Sequence, residues 1–558
     1  MKIRYLLFVV LSALFMHPAF AKNTLRERVY IQTDKQTYLA GELMWVKFYL
    51  TNETGMPLSF SKVGYVELLD ESSAQVQIKL DISNGVGEGW MELPLSLSTG
   101  NYLLTAYTRN MRNEGEVVFF RKTIAVINTF RTDAAVAIDT VPDVVVSPVL
   151  QDNNISVSTE KPIYATRTRS EVLIKGLPEN IHSLSISIAG EDFTAGTENI
   201  VKWHDRQPEH SGIQMKNDFL PEYEGHIISG KIIDVKTNET PSVGGIYSLL
   251  GFTGDRIRLF GGIADNMYNI QFITERITGT KELAVAATTL SDNKNRVIIQ
   301  SPFATHSEIE LPAFRMNPQW EEQLQLRNVG LQVLYAYHAD SMSRVDTTFT
   351  HFQWKPDRLY ILDEYTRFTT MEEVVIEFIP SLRFRRFDNK RFLTIYFEDS
   401  RSFSLGNTLV LLDGIPITDH DIIFNYNPLL LNKIEIYKDK FAFGNKRFEG
   451  IVSFTSYKND YPGLVLDETT QIFDYEGTQA HRYFYAPSYP EKSEAQRKIP
   501  DYRHTLLWMP EVYTDGSPNL SLPFCTSDLT GDFQVTIEGL TKDGKTIKGT
   551  SFFKVENP

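Results

Sequence analysis

Seven strand-sized runs follow one another between residues 25 and 127: RVYIQTDKQTY, ELMWVKFYLTN, KVGYVELLD, AQVQIKLDI, GEGWMELPL, GNYLLTAYTRN and EVVFFRKTIAVI. Gly, Asn, Asp or Pro separates them, and apolar and polar residues alternate within them. That pattern commits the segment to a β-sandwich. In WVKFYL, Val46, Phe48 and Leu50 fall on one face and Trp45, Lys47 and Tyr49 on the other, because successive strand side chains point to opposite sides.

Part of this segment recurs. Thr33, Asp34, Lys35 and Tyr38 return 126 residues later as Thr159, Glu160, Lys161 and Tyr164, and at the same offset Val172 and Ile174 answer Val46 and Phe48. Strand phase is therefore kept along with the polar residues, which predicts a second sandwich over 150–215 after the linker DTVPDVVVSPVLQDNN.

With 558 residues the chain exceeds what one core serves, so several domains are expected. Residues 1–21 carry Lys2 and Arg4, an apolar run and Ala19-Phe20-Ala21, the layout of a secretory signal peptide. The apolar run is short for a membrane anchor, and no transmembrane segment is expected in the mature chain. The formal net charge is −14, without a concentrated basic patch, which argues against nucleic-acid binding. Cys525, the single cysteine, cannot form an internal disulfide and reads as a packed thiol.

The stretch YIQTDKQTYLAGELMWVKFYLTN, with Thr33, Asp34, Lys35, Tyr38, Gly41 and Glu42, resembles the early sandwich domains of the α-macroglobulin superfamily. The second copy has Arg167 and Thr168 in place of the Gly-Glu pair. The resemblance implies a structural role for the motif, with Tyr38 packing and the charges holding a strand crossing. Macroglobulin thioesters need Cys-Gly-Glu-Gln; Cys525 continues as Thr526-Ser527-Asp528, so covalent capture is excluded. Residues 222–300 resemble transthyretin-like, carboxypeptidase-regulatory-like modules, with Asp265 and Phe272 kept loosely. A partly helical connector is expected over 301–360, around Leu324, Leu326, Val329, Leu331 and Leu334.

From Phe368 the reading changes to α+β. Thr370 and Glu373 form a capping-box pattern before an apolar helix face of Val374, Val375 and Phe378, and Pro380 ends the helix. Asp413-Gly414 suits a tight hairpin turn, and Asn427-Pro428 an N-cap with Pro at the first helical position. Together with Gly450 these residues make 361–462 resemble the plug domain of TonB-dependent receptors. Asp413, Glu435 and Lys438 are read as turn and surface groups. Too few residues follow Gly463 for a barrel that could enclose such a domain, and 480–558 is expected to be a C-terminal sandwich. The combination resembles exported multidomain proteins of Bacteroides-like bacteria.

The expected fold is thus mainly β and multidomain: tandem immunoglobulin-like or macroglobulin-like sandwiches, a transthyretin-like module and one α+β unit. No catalytic, cofactor-binding or metal-ligating constellation is recognisable, so no cofactor and no enzymatic activity are expected, although carboxylates are frequent enough to leave an assembled pair open. The first functional expectation is a non-enzymatic binding or scaffolding protein of the cell envelope, in the periplasm or associated with the outer membrane. The second is an accessory of a TonB-dependent transporter acting through the plug-like segment. The expected partner is another envelope protein, with such a transporter as one candidate. The aromatics of HRYFYAPSYP, namely Tyr483, Phe484, Tyr485 and Tyr489, are candidate partner contacts; the alternative is a strap packed over neighbouring domains.

Overall fold

The computed structural model describes residues 26–131, 137–138, 154–191, 199–205, 215–242, 244–254, 256–288, 294–317, 320–342, 355–387, 390–404, 407–489 and 498–557. The expected signal peptide at 1–21 and most of the expected linker lie outside them. The chain divides into two units, one comprising Met1–Tyr223, Thr305–Val345 and His481–Pro558, the other Glu224–Ala304 and Asp346–Ala480.

In the first unit, strands Glu27–Thr33, Leu43–Asn52 and Val86–Glu92 form a three-stranded sheet. Thr37–Leu39, Phe120–Ile127, Gly100–Thr108, Val63–Leu69 and Ala74–Asp81 form, in that spatial order, a five-stranded one. Val46, Phe48 and Leu50 are fully buried, as their alternation requires.

The same topology recurs strand for strand. Ser156–Thr159, Arg169–Lys175 and Asn519–Cys525 make the three-stranded sheet; Ile163–Ala165, Thr546–Glu556, Gly531–Thr541, Ile181–Gly190 and Thr505–Met509 make the five-stranded one. Register repeats as well. Thr33 pairs with Val46 and Thr159 with Val172, while Tyr38 and Tyr164 lie opposite Val126 and Val555 in parallel pairs. In both copies the Thr hydroxyl donates to the Lys carbonyl two residues on (2.6 and 2.8 Å), and the Lys amide donates to the Tyr hydroxyl (3.3 and 2.7 Å). Arg167, which replaces Gly41, keeps a positive φ of 53° against 93° for the glycine.

The sandwiches expected separately at 150–215 and 480–558 are therefore two halves of one, with residues 192–504 inserted between its fourth and fifth strands. Alternation reports which side of a strand is buried and carries no information about which strand it pairs with. The insertion point is a hairpin. In the first copy Asp70 closes it by accepting the amides of Ser72 and Ser73, each at 2.7 Å. A surface turn tolerates a long insertion because closure entropy rises only with the logarithm of length.

The two sandwiches meet through polar faces. Ser183, Ser185 and Ser187 alternate with the core residues Leu184, Ile186 and Ile188. The Tyr49 hydroxyl bonds Ser185 at 2.6 Å, Tyr30 donates to Glu538 at 2.6 Å, Ser187 donates to the Asp34 carbonyl at 2.6 Å, and Lys47 reaches Glu511 at 2.6 Å. Hence the second face of WVKFYL is buried too, Lys47 being only 2% exposed. Burial raises the Glu538 carboxyl above its ordinary pKa.

The expected connector contributes to this unit. His306 Nε2 lies 2.8 Å from Glu67 Oε1, Asn101 donates to the Pro312 carbonyl at 2.9 Å, and Glu321–Met342 is a helix.

The second unit begins with two four-stranded sheets around a core including Ile232, Leu250, Phe272 and Val285. One sheet is completed by Thr470–Glu476, outside the expected 222–300 boundary, pairing with Thr280–Thr288. Within the intervening chain, Arg358–Ile361, Leu431–Tyr437, Ile451–Ser456, Leu409–Leu412 and Ile415–Ile417 form a mixed sheet. The helix Met371–Phe378 carries the Thr370–Glu373 capping box and buries Val374 and Val375. Asp413 and Gly414 both have positive φ (47° and 80°), as a two-residue hairpin demands. A Cβ on Gly414 would stand 2.1 Å from the Phe252 carbonyl oxygen, so the turn also needs glycine for close approach.

Two outcomes follow from these packings. Ile537, fully buried opposite Ile186, lies at the centre of the rejoined sandwich. Ile537→Ala is expected to cost about 2–5 kcal/mol in denaturant unfolding and to reduce amide protection in Ile181–Gly190. In the second unit, His420 Nδ1 accepts the Leu393 amide at 2.9 Å, and burial lowers its pKa to about 4. The folded pKa is below the unfolded one, so the stabilisation is present above about pH 6.5 and is lost as pH falls toward 4, roughly 3 kcal/mol in all. Hydrogen exchange of Lys390–Phe397 should show this loss, and His420→Asn, which keeps an acceptor, should flatten it.

Candidate functional site

The Thr-Asp-Lys turn anchors a cleft in the first unit. Asp34 leaves the strand Glu27–Thr33 with its carboxylate turned back into the sandwich. Oδ1 accepts from Tyr38 Oη at 2.7 Å and the Trp45 amide at 3.1 Å; Oδ2 accepts from Thr505 Oγ1 at 2.7 Å and lies 3.4 Å from Lys35 Nζ. Glu42 accepts the Leu39 amide at 3.0 Å and faces Lys35 at 3.3 Å and Arg327 at 3.0 Å. Burial opposes its ionisation, but the Arg327 and Lys35 charges outweigh burial and hold its pKa below the ordinary carboxylate value.

Arg327 belongs to the helix Glu321–Met342 and also donates to the Thr37 carbonyl at 3.0 Å. Tyr335, two turns on, donates to the Gly41 carbonyl at 2.7 Å. Gly330 lets the helix touch the returning chain, since a Cβ there would lie 2.7 Å from the Tyr502 carbonyl oxygen. The helix is thereby fixed against the first sandwich by Arg327 and Tyr335, and against the returning chain at Gly330.

Between these elements lies a cleft partly open to solvent. Its floor is Gly41, Leu43 and Trp45; Leu331 and Leu334 of the helix form one wall; Phe484, Tyr485 and Tyr502 form the other. Phe484 meets Trp45 edge-on with centroids 5.5 Å apart. Behind them Trp508, 3% exposed, packs with Leu43 and Trp45. This apolar group sits at the end of the polar seam between the sandwiches, because Trp45 shares the face of Lys47 and Tyr49 while Trp508 pairs with Ser187.

His504 lines the cleft. Burial first, and then the Arg327 and Lys35 charges, press its pKa well below the ordinary value, so the imidazole is neutral. Its Nδ1 and the indole Nε1 of Trp508 are buried without a hydrogen-bond partner among the described residues.

The four candidate aromatics have different fates. Phe484 and Tyr485 line the cleft. Tyr483 is 43% exposed, with its ring against His481. Tyr489 is buried, not a contact: its hydroxyl bonds Asp501, which Arg503 also holds at 2.8 Å, and burial pushes its pKa up. The segment packs as a strap across the first unit.

In the second unit the motif residues are structural. The Asp413 carboxylate is fully buried and accepts from the Ser456 amide (2.7 Å), the Ser456 hydroxyl (2.6 Å) and the Tyr461 amide (2.7 Å). Asn427 caps the short Pro428–Leu430 turn through the Leu429 amide at 3.0 Å. A Cβ on Gly450 would meet Ile395 at 2.5 Å. The reading of Asp413 and Glu435 as surface groups is corrected: both are buried, Glu435 beside Lys433 at 3.0 Å, because each has a local donor that satisfies its charge. Lys438 pairs with Glu398 at 2.7 Å.

Cys525 is a buried free thiol. Among the described residues, no group of three His, Cys, Asp or Glu is arranged to hold a metal, and no helix is long and apolar enough to cross a membrane. Arg327, His504 and Trp508 were not singled out by sequence. Arg327 had a signal: it interrupts the apolar series Leu324, Leu331, Leu334 at helical spacing.

Glu42→Ala leaves two buried cations without their shared carboxylate. It is expected to destabilise the first unit by about 3–5 kcal/mol in denaturant unfolding, and adding Arg327→Met should restore part of the loss.

No protein-family model matches the sequence, and no curated protein does. Among solved structures, Salmonella alpha-2-macroglobulin reacted with methylamine is 9% identical with a TM-score of 0.24, over 95% of this chain and 40% of that one. Escherichia coli alpha-2-macroglobulin activated by porcine elastase is 8% identical with a TM-score of 0.25, over 95% and 44%. The Yersinia pseudotuberculosis adhesin InvE is 10% identical with a TM-score of 0.13, over 49% and 58%. The chain spans less than half the length of these two macroglobulin chains, and at such scores the likeness determines neither its architecture nor its activity.

Proposed function

We propose that the chain is a non-enzymatic scaffold or binding protein of the cell envelope, exported from the cytoplasm, which engages its partner through the cleft of the first unit. The observation that carries this reading is the state of the cleft's polar groups. Asp34, Lys35, Glu42 and Arg327 pair with one another and with neighbouring backbone atoms, so they brace the walls. The surface left for recognition is formed by Trp45, Phe484, Tyr485 and Tyr502, the residue class that dominates binding hot spots. The proposed setting draws support from the signal-peptide pattern and from the macroglobulin-like repeat, the carboxypeptidase-regulatory-like segment and the plug-like segment, all read as exported modules.

The test is site-specific photo-crosslinking in intact cells. A benzophenone side chain at position 485, in the cleft, is expected to give discrete adducts with an envelope protein. The same group at Tyr513, 87% exposed, should not. Equal labelling from both positions would reject the cleft as the engaging surface.

A further inference from the structure

We propose that the hairpin of strands Leu382–Phe387 and Lys390–Phe397 docks the second unit on the surface of an anionic phospholipid bilayer. This surface is distinct from the cleft of the first unit, and neither reading depends on the other.

The charge comes first. The chain has a formal net charge of −14, yet residues 382–397 hold Arg383, Arg385, Arg386, Lys390 and Arg391 against one acid, Asp388. The expected absence of a concentrated basic patch does not hold here, because antiparallel pairing brings the two ends of this run side by side. Arg386 stands directly opposite Arg391, and Arg385 opposite Phe392. Like charges in register destabilise a strand pair. Asp421 offsets Arg391 at 2.8 Å. Arg385 and Arg386 are exposed, and neither has a carboxylate partner among the described residues. An anion brought to this end of the hairpin would relieve the repulsion.

The arrangement comes second, and it selects the partner. Successive strand residues face opposite sides, so Arg385 and Lys390 lie on one face of the hairpin and Arg386 and Arg391 on the other. An acidic peptide laid along one face would leave the other face uncompensated. An extended anionic surface, met end-on, reaches both. The guanidiniums are also seated on rings. Arg385 lies 4.5 Å from the Phe403 centroid and Arg391 3.9 Å from that of Phe424, against which Phe384 packs edge-on at 5.1 Å. These rings spend their faces on the cations and on one another, so they offer nucleic-acid bases a poor stacking platform. A guanidinium held flat on a phenyl ring keeps its N–H edges outward, the geometry that takes phosphate oxygens. A bilayer presents such phosphates in two dimensions, and each basic residue near it adds to the attraction.

The test is co-sedimentation of the full chain with lipid vesicles. Saturable binding is expected to equal mixtures of phosphatidylcholine and phosphatidylglycerol, and none to phosphatidylcholine alone. The binding should vanish near 1 M salt, where the screening length falls to about 3 Å. R385E/R386E should weaken it more than tenfold, and R385Q/R386Q, the milder pair that guards against a folding defect, roughly tenfold. K231E/K236E makes the same charge change at two exposed lysines of the same unit and should leave binding nearly unchanged. No binding to the anionic vesicles, equal binding to both vesicle types, full binding by R385Q/R386Q, or equal loss in K231E/K236E would overturn the proposal. Polyglutamate or a single-stranded oligonucleotide that binds more tightly than the vesicles, and through Arg385 and Arg386, would assign the hairpin to an acidic protein or to nucleic acid and overturn it as well. Crosslinks from position 485 are read separately, so failure here leaves the cleft reading standing.

Discussion

The fold of the first unit depends on hydrogen bonds between strands from opposite ends of the sequence. Ser185 and Glu538, which pair on adjacent strands of one sheet, are 353 residues apart, and the strands that carry them run side by side over nearly their whole length. Without Thr505–Met509 and Gly531–Thr541, the strand Ile181–Gly190 would lose both neighbours and the core around Ile186 and Leu184 would lie open. Everything between residues 191 and 505 is therefore held at both ends by one sheet. The cleft inherits this arrangement, for His504 and Thr505 stand where the chain re-enters that sheet.

The seam between the two sandwiches uses chemistry opposite to that of their interiors. Each interior is apolar, with Val46, Phe48 and Leu50 in one copy and Val172, Ile174 and Ile186 in the other. The seam is tyrosine, serine and paired charge, and serine's small volume lets the sheets approach while each hydroxyl finds an acceptor. A polar interface of this kind tolerates few relative placements, because a shift would strand Lys47, Tyr49 or Glu538 without partners. At its end the seam gives way to Leu43, Trp45 and Trp508, and there the polar satisfaction stops.

What could be read in the sequence was local. The Thr370–Glu373 capping box, the Asp413-Gly414 turn and the Asn427 cap each depend on residues within four positions, and all three stand in the structure as read. The Thr-Asp-Lys-Tyr repeat was legible because strand phase accompanied it. Its topology was not, since pairing is decided by the complementarity of whole faces, and the insertion moved the partners of Ile181–Gly190 far downstream. Tyr489 was misplaced for a related reason. An aromatic run reads as a sticky surface until the buried Asp501 that holds its hydroxyl is seen. Arg327 and His504 come from stretches far apart in the chain, and only docking of the helix and return of the last strands bring them to one cleft.

The split of the second sandwich also bears on how the chain is made. Synthesis runs at about 5–20 residues per second, so the roughly 300 inserted residues take on the order of fifteen seconds to a minute to emerge. During that interval the strand Ile181–Gly190 exists with both edges bare, presenting Leu184, Ile186 and Ile188 to whatever is near. The first sandwich is complete by then, and its seam-facing tyrosines and Lys47 offer those serines a template before the proper neighbours arrive. A nascent chain of this design has reason to keep its first domain and its waiting strands together.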